Sequence, residues 1–139
     1  MEWAKHPAKR TKRWYPTMPD HIKRLNPESE YYFREGCHII EVSNSESDEA
    51  VSIVRARVEP GVVTRWHGVL DTFERYVITR GKGEVEVGEN PATEVNSGDV
   101  VLIPPGTRQR IRNPGSSDLE FLAICSPRFR IENYQELDD

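Results

Sequence analysis

Long apolar runs are absent from this sequence. No stretch approaches the ~20 apolar residues of a membrane-spanning helix, and Glu2, Lys5, Lys9 and Arg10 interrupt the place where a signal peptide would carry its apolar core. A cytoplasmic protein without a membrane partner is the expectation. Cysteine is scarce, with only Cys37 and Cys125 present. Two thiols on separate expected strands of a chain without an export signal read as reduced side chains, which argues against a disulfide scaffold. A long helical period and any repeat of about 20 to 50 residues are also missing, which removes bundles and solenoids. Positive charge is in deficit overall: the net charge of −4 is the reverse of a nucleic-acid-binding domain, and no nucleic-acid partner is expected.

That deficit is uneven. Seven of the 19 Lys and Arg residues, but only three of the 23 acids, fall within residues 1–28, where Trp3, Trp14 and Tyr15 are interleaved with them. A basic aromatic arm can meet an anionic surface, or it can strap across an acidic body, its own or a partner's. The strap is the expectation here, given the acidity of the rest.

The 139 residues favour one domain. From Tyr31 onward, short runs rich in Val, Ile, Tyr and Phe alternate with polar residues and are punctuated by Gly, Pro, Asn and Ser. Strands are expected over 30–42, 50–58, 63–69, 74–80, 84–87, 93–95, 100–103, 107–112 and 118–125. Many short strands at such spacing make an all-β sandwich or barrel. The expected organisation is an N-terminal arm (1–28), a β-barrel (29–130) and an acidic C-terminal tail (131–139). Gly81-x-Gly83 follows a strand but precedes another strand pattern, so it reads as a hairpin turn and not as a nucleotide loop.

Two spaced motifs carry a family resemblance. Gly61, five residues, His67, one residue, Val69, four residues, Glu74, six residues and Gly81 form the first. Gly98, five residues, Pro104, Pro105, Gly106, two residues, Gln109, three residues and Asn113 form the second, with Lys82 to Ser97 between them. Both resemble the motifs of the cupin superfamily, in which histidines stand at the positions of His67, Val69 and Gln109. The resemblance implies a single-domain cupin-type jelly-roll β-barrel. It also implies a metal site whose usual three histidines and one glutamate are here reduced to His67, Glu74 and Gln109. A divalent ion (Mn, Fe, Zn or Ni) is the implied cofactor. The alternative is a hydrogen-bonded polar cluster of the same three side chains without metal.

Strand alternation assigns the interior. With His67 inward, Val63, Arg65 and Val69 follow from one expected strand, Glu74, Tyr76 and Ile78 from the next, and Thr107, Gln109 and Ile111 from a later one. Arg65 then becomes a clamp for an anion, a partner of Glu74, or a side chain that pairs at the cavity mouth or snorkels to solvent, and Tyr76 a proton donor. His38 and Asp71 are weaker substitute ligands, His38 reading as a strand residue and Asp71 as a turn residue. Arg108, Arg110 and Arg112 fall on the outer face, where Glu84 and Glu86 can pair with them.

Two functions fit. One is a metal-assisted enzyme, an oxygenase, isomerase or lyase, acting on a small polar or anionic metabolite. The other is a binding or sensing module without metal or turnover. A homodimer is the expected assembly.

Overall fold

The computed structural model describes residues 21–137, so the expected arm lies largely outside the described residues. Eleven strands follow one another: β1 (Tyr31–Phe33), β2 (Cys37–Ser43), β3 (Ser52–Val58), β4 (His67–Val69), β5 (Phe73–Arg80), β6 (Lys82–Val87), β7 (Thr93–Asn96), β8 (Val100–Ile103), β9 (Gln109–Arg112), β10 (Leu119–Ser126) and β11 (Tyr134–Glu136). They form a six-stranded sheet in the order β1-β2-β3-β10-β5-β8 and a five-stranded sheet in the order β11-β4-β9-β6-β7. All pairings are antiparallel. The architecture is the expected jelly-roll barrel.

Period-two patterning builds it. In β3, Ser52, Val54, Ala56 and Val58 are buried while the residues between them are partly exposed, and β10 alternates likewise from Leu119 to Ser126. Their inward side chains meet Ile78, Ile103 and Ile111 in one core. The outward guanidiniums are paired: Arg55 and Arg57 with Glu30, at 3.1 and 2.6 Å, and Arg110 and Arg112 with Glu86 and Glu84, at 2.8 and 3.4 Å.

Three segments depart from the sequence reading. The expected strand over 30–42 is a hairpin, broken at Arg34, Glu35 and Gly36. Gly36 has φ +109°, which its missing Cβ permits, and its N–H donates to Phe33 O at 3.0 Å. The expected strand over 63–69 survives only as His67–Val69, preceded by an isolated bridge from Val63 to Arg112. Alternation therefore does not run back from His67 to Arg65, and Arg65 is exposed, as is Val63. Finally, the acidic tail does not stay apart from the barrel. Tyr134, Gln135 and Glu136 pair with Val69, Gly68 and His67, and Tyr134 is buried.

Candidate functional site

The barrel encloses a cavity of about 60 Å³, room for several waters or a small ligand. Its polar side chains come from separate elements: Glu35 from the β1–β2 turn, His67 from β4, Glu74 and Tyr76 from β5, and Cys125 from β10. Gln109 on β9 is the direct cross-strand neighbour of His67, and Cys125 that of Glu74. Apolar walls are supplied by Ile39, Val54, Val69 and Phe121. The Tyr134 ring stacks on His67, with centroids 5.5 Å apart, and takes the edge of Phe33 at 5.0 Å.

Two hydrogen-bonded groups meet there. In the first, the Tyr76 hydroxyl donates to Gln109 Oε1, Gln109 Nε2 donates to Glu74 Oε1 at 2.5 Å, and the Cys125 thiol points at Glu74 Oε2 from 3.8 Å. In the second, His67 Nδ1 lies 2.8 Å from Arg65 O, His67 Nε2 lies 3.0 Å from Glu35 Oε2, and the Cys37 thiol donates to Glu35 Oε1 at 3.0 Å. A carbonyl oxygen only accepts, so Nδ1 carries a hydrogen. Two bare lone pairs at the Nε2 to Oε2 distance would repel, so a proton lies between these atoms.

Burial sets the protonation of the first group. It pushes the Glu74 carboxyl above the usual carboxylate range, against the opposing pull of His67 and of the Gln109 amide. Tyr76 is driven well up by burial and by the carboxylates around it, so its phenol stays protonated and donates. Both cysteine thiols are pushed up by burial and by a neighbouring glutamate, and neither is an activated nucleophile.

The sequence profile of the Cupin domain family matches residues 54–125. The chain is a cupin. An oxalate-binding protein of Thermotoga maritima is 30% identical over 105 residues, spanning 72% of this chain and 86% of that protein. A Thermotoga maritima protein described as a predicted oxalate decarboxylase superposes with TM-score 0.68 at 23% identity, covering 76% of this chain and 98% of its own. Pac13, a nucleoside dehydratase of Streptomyces, superposes with TM-score 0.68 at 17% identity, covering 84% and 91%.

Of the sequence-expected residues, this cupin brings His67, Glu74, Gln109 and Tyr76 together and leaves Arg65 outside. Arg65 contributes only backbone, its carbonyl to His67 and its N–H to Glu35 O at 2.7 Å. The reason is the irregular 63–66 segment. His38 stands 3.5 Å from Glu59 and edge-on to Tyr32, and Asp71 is exposed in a turn at φ +55°; neither lines the cavity. Sequence reasoning missed Glu35 and Tyr134. Glu35 reads as a polar turn residue and Tyr134 as part of a charged tail, and neither belongs to a motif.

Cupins often bind a metal, and the donors present here are turned away from one. His67 Nε2, the nitrogen open to an ion, faces Glu35. Gln109 offers Oε1 to Tyr76 and turns its amide N–H, which cannot ligate, toward Glu74. Val69 offers nothing. Among the described residues, no three His, Cys, Asp or Glu side chains form a group that could hold an ion. The arrangement does not fit a divalent metal.

Proposed function

We propose that this cupin admits a small polar metabolite and moves a proton on it, as an isomerase or a lyase, without the metal that the motif resemblance implies. The carrying observation is the Glu35–His67 pair, with Oε2 and Nε2 3.0 Å apart in the cavity wall. Glu74, whose carboxyl burial pushes above the usual carboxylate range, is the second proton carrier in the same cavity. With two carriers, one can withdraw a proton while the other returns one elsewhere, the requirement of both reaction classes. Tyr76 commits its hydroxyl to Gln109 and so positions the amide that holds Glu74.

The relatives point in two directions, toward oxalate and toward a nucleoside. The cavity favours an uncharged or positively charged ligand, because no Lys or Arg lines it and Arg65, the expected anion clamp, is exposed. Among the described residues no helix is long and apolar enough to cross a membrane. A cytoplasmic location and a homodimer belong to the same proposal. For the dimer, Val100 and Leu102, 55% and 60% exposed on the edge strand β8, supply an apolar strip, and sedimentation at several concentrations tests it.

The reaction itself is tested in deuterated water with a panel of small polar metabolites, following solvent deuterium incorporation by NMR. The wild type is expected to label one of them, and Glu35→Gln and His67→Asn to label it roughly 100-fold more slowly. Equal labelling by all three proteins would sink the proposal. Binding without labelling would instead favour a sensing module, which the internally satisfied Tyr76–Gln109–Glu74 chain also suits.

A further inference from the structure

Three of the residues lining the cavity are glutamates, Glu35, Glu41 and Glu74, and none is a lysine or arginine. The guanidiniums nearby are engaged elsewhere. Arg34 lies over the Phe33 and Tyr134 rings, at 5.6 and 4.9 Å, and bonds Glu136 at 3.0 Å; Arg128 bonds Glu49 at 3.2 Å and Asn44 at 3.1 Å.

The mouth is aromatic. Tyr31, 44% exposed, stands with the half-buried Phe33 and Phe129 around it, and the exposed Glu41 completes the rim. Glu41 is held in place, since Asn44 Nδ2 donates both to Glu41 Oε1 at 3.3 Å and to Phe129 O at 3.1 Å. Deeper in, the Tyr134 hydroxyl is buried and has no hydrogen-bond partner among the described residues, although Tyr134 is only 8% exposed and lines the same cavity. A buried hydroxyl without a partner is costly, and a ligand's polar group would relieve it.

We infer that the ligand is a small organic cation, an amine or quaternary ammonium compound bearing a polar group. Its charge is held among the Tyr31 and Phe129 rings and the Glu41 carboxylate, and its polar group meets the Tyr134 hydroxyl. Aromatic faces carry negative potential and attract ammonium groups, most strongly where water is thinned. An anion would meet those faces and carboxylates with no lysine or arginine in the lining to pair with it, so the same lining that attracts the cation disfavours the acid. The inference rests on the proposal that the cavity is the ligand site, and it names what enters.

Calorimetric titration of the full chain with three probes tests it: choline, its uncharged isostere with carbon in place of nitrogen, and oxalate. Choline is expected to bind about tenfold tighter than the isostere. The ratio is expected to fall toward one in Glu41→Gln, an exposed substitution that leaves the core intact, and oxalate is expected to give no heat. An isostere that binds as tightly as choline overturns cation selection while leaving the cavity as the ligand site. Oxalate binding with choline silent overturns the inference, as does silence of all three probes, and deuterium labelling then decides the proton-transfer proposal independently.

Discussion

Glu35 Oε2 stands 3.0 Å from His67 Nε2, joining a turn residue to the one histidine left in the first motif. The imidazole is 3% exposed and its other nitrogen is already bonded to Arg65 O, so Nε2 must find a partner inside the barrel. Glu35 supplies it, where a metalated cupin would present that nitrogen to an ion. Truncating Glu35 to Ala leaves Nε2 buried and unpaired, which costs about 1–3 kcal/mol. The exposed Glu41→Ala should cost little. Urea unfolding of the two variants measures the difference, and equal stabilities would show that the pairing contributes nothing.

Restoring histidines should restore a metal site. Val69 lies on β4 with His67, and Gln109 is paired directly opposite His67, so both positions already lie where the motif places ligands. In the Val69→His, Gln109→His double variant, Zn²⁺ or Ni²⁺ at about 100 times its dissociation constant should add about 2.7 kcal/mol of stability. The wild type should gain none. Thermal melts with and without chelator check both, and a chelator-sensitive melt in the wild type would overturn the misfit of its donors.

Glu74 gives the fold a pH dependence of definite sign. Burial raises its carboxyl in the folded state, so between the ordinary carboxylate range and that raised value the folded chain holds a proton that the unfolded chain has released. Stability therefore falls as pH rises through this window, by at most about 1.4 kcal/mol per pH unit from one group. Glu74→Gln removes the proton and should flatten this part of the profile. Denaturant midpoints against pH for both proteins decide it: parallel profiles would mean that Glu74 ionises without penalty.

Much of the fold was legible because the motif residues answer backbone demands. Asn113 is fully buried, donates to Val58 O and Ser117 O and accepts from Gly115 N, so one side chain ties the end of β3 to the 113–117 turn at a spacing the sequence displays. His67, Glu74 and Gln109 were legible for the same reason. Glu35 was not, since its inward turn depends on Gly36 and on a contact with Arg65 N, thirty residues along the chain. Arg65 was misplaced because period two was extended over residues that form no strand. Tyr134 escaped because β11 is three residues long and is specified by its edge pairing with β4, not by any pattern of its own.

The unpartnered Tyr134 hydroxyl should appear as a stability deficit. Tyr134→Phe keeps the ring stacked on His67 and the edge contact with Phe33, and removes only an oxygen that bonds to nothing among the described residues. The variant should be as stable as the wild type or up to about 1–3 kcal/mol more stable. Differential scanning calorimetry measures it; a clear loss of stability would reveal a bonding partner for the hydroxyl.

Two motif glycines should differ in what they tolerate, although both have positive φ, +79° at Gly61 and +76° at Gly81. A Cβ at Gly61 would meet nothing within 4 Å, whereas one at Gly81 would lie 2.7 Å from Asp118 O and 3.2 Å from Leu119 Cα. The conformational penalty, about 1–2 kcal/mol, is common to both alanine variants and cancels when they are compared. The remainder is the collision with backbone at the start of β10, which should make Gly81→Ala about 1–3 kcal/mol worse than Gly61→Ala. That strand pairs with both β3 and β5, so it cannot shift without disturbing the ladder on each side. Equal losses in chemical denaturation would mean that the Asp118 segment yields freely, and that Gly81 answers only the φ requirement of its turn.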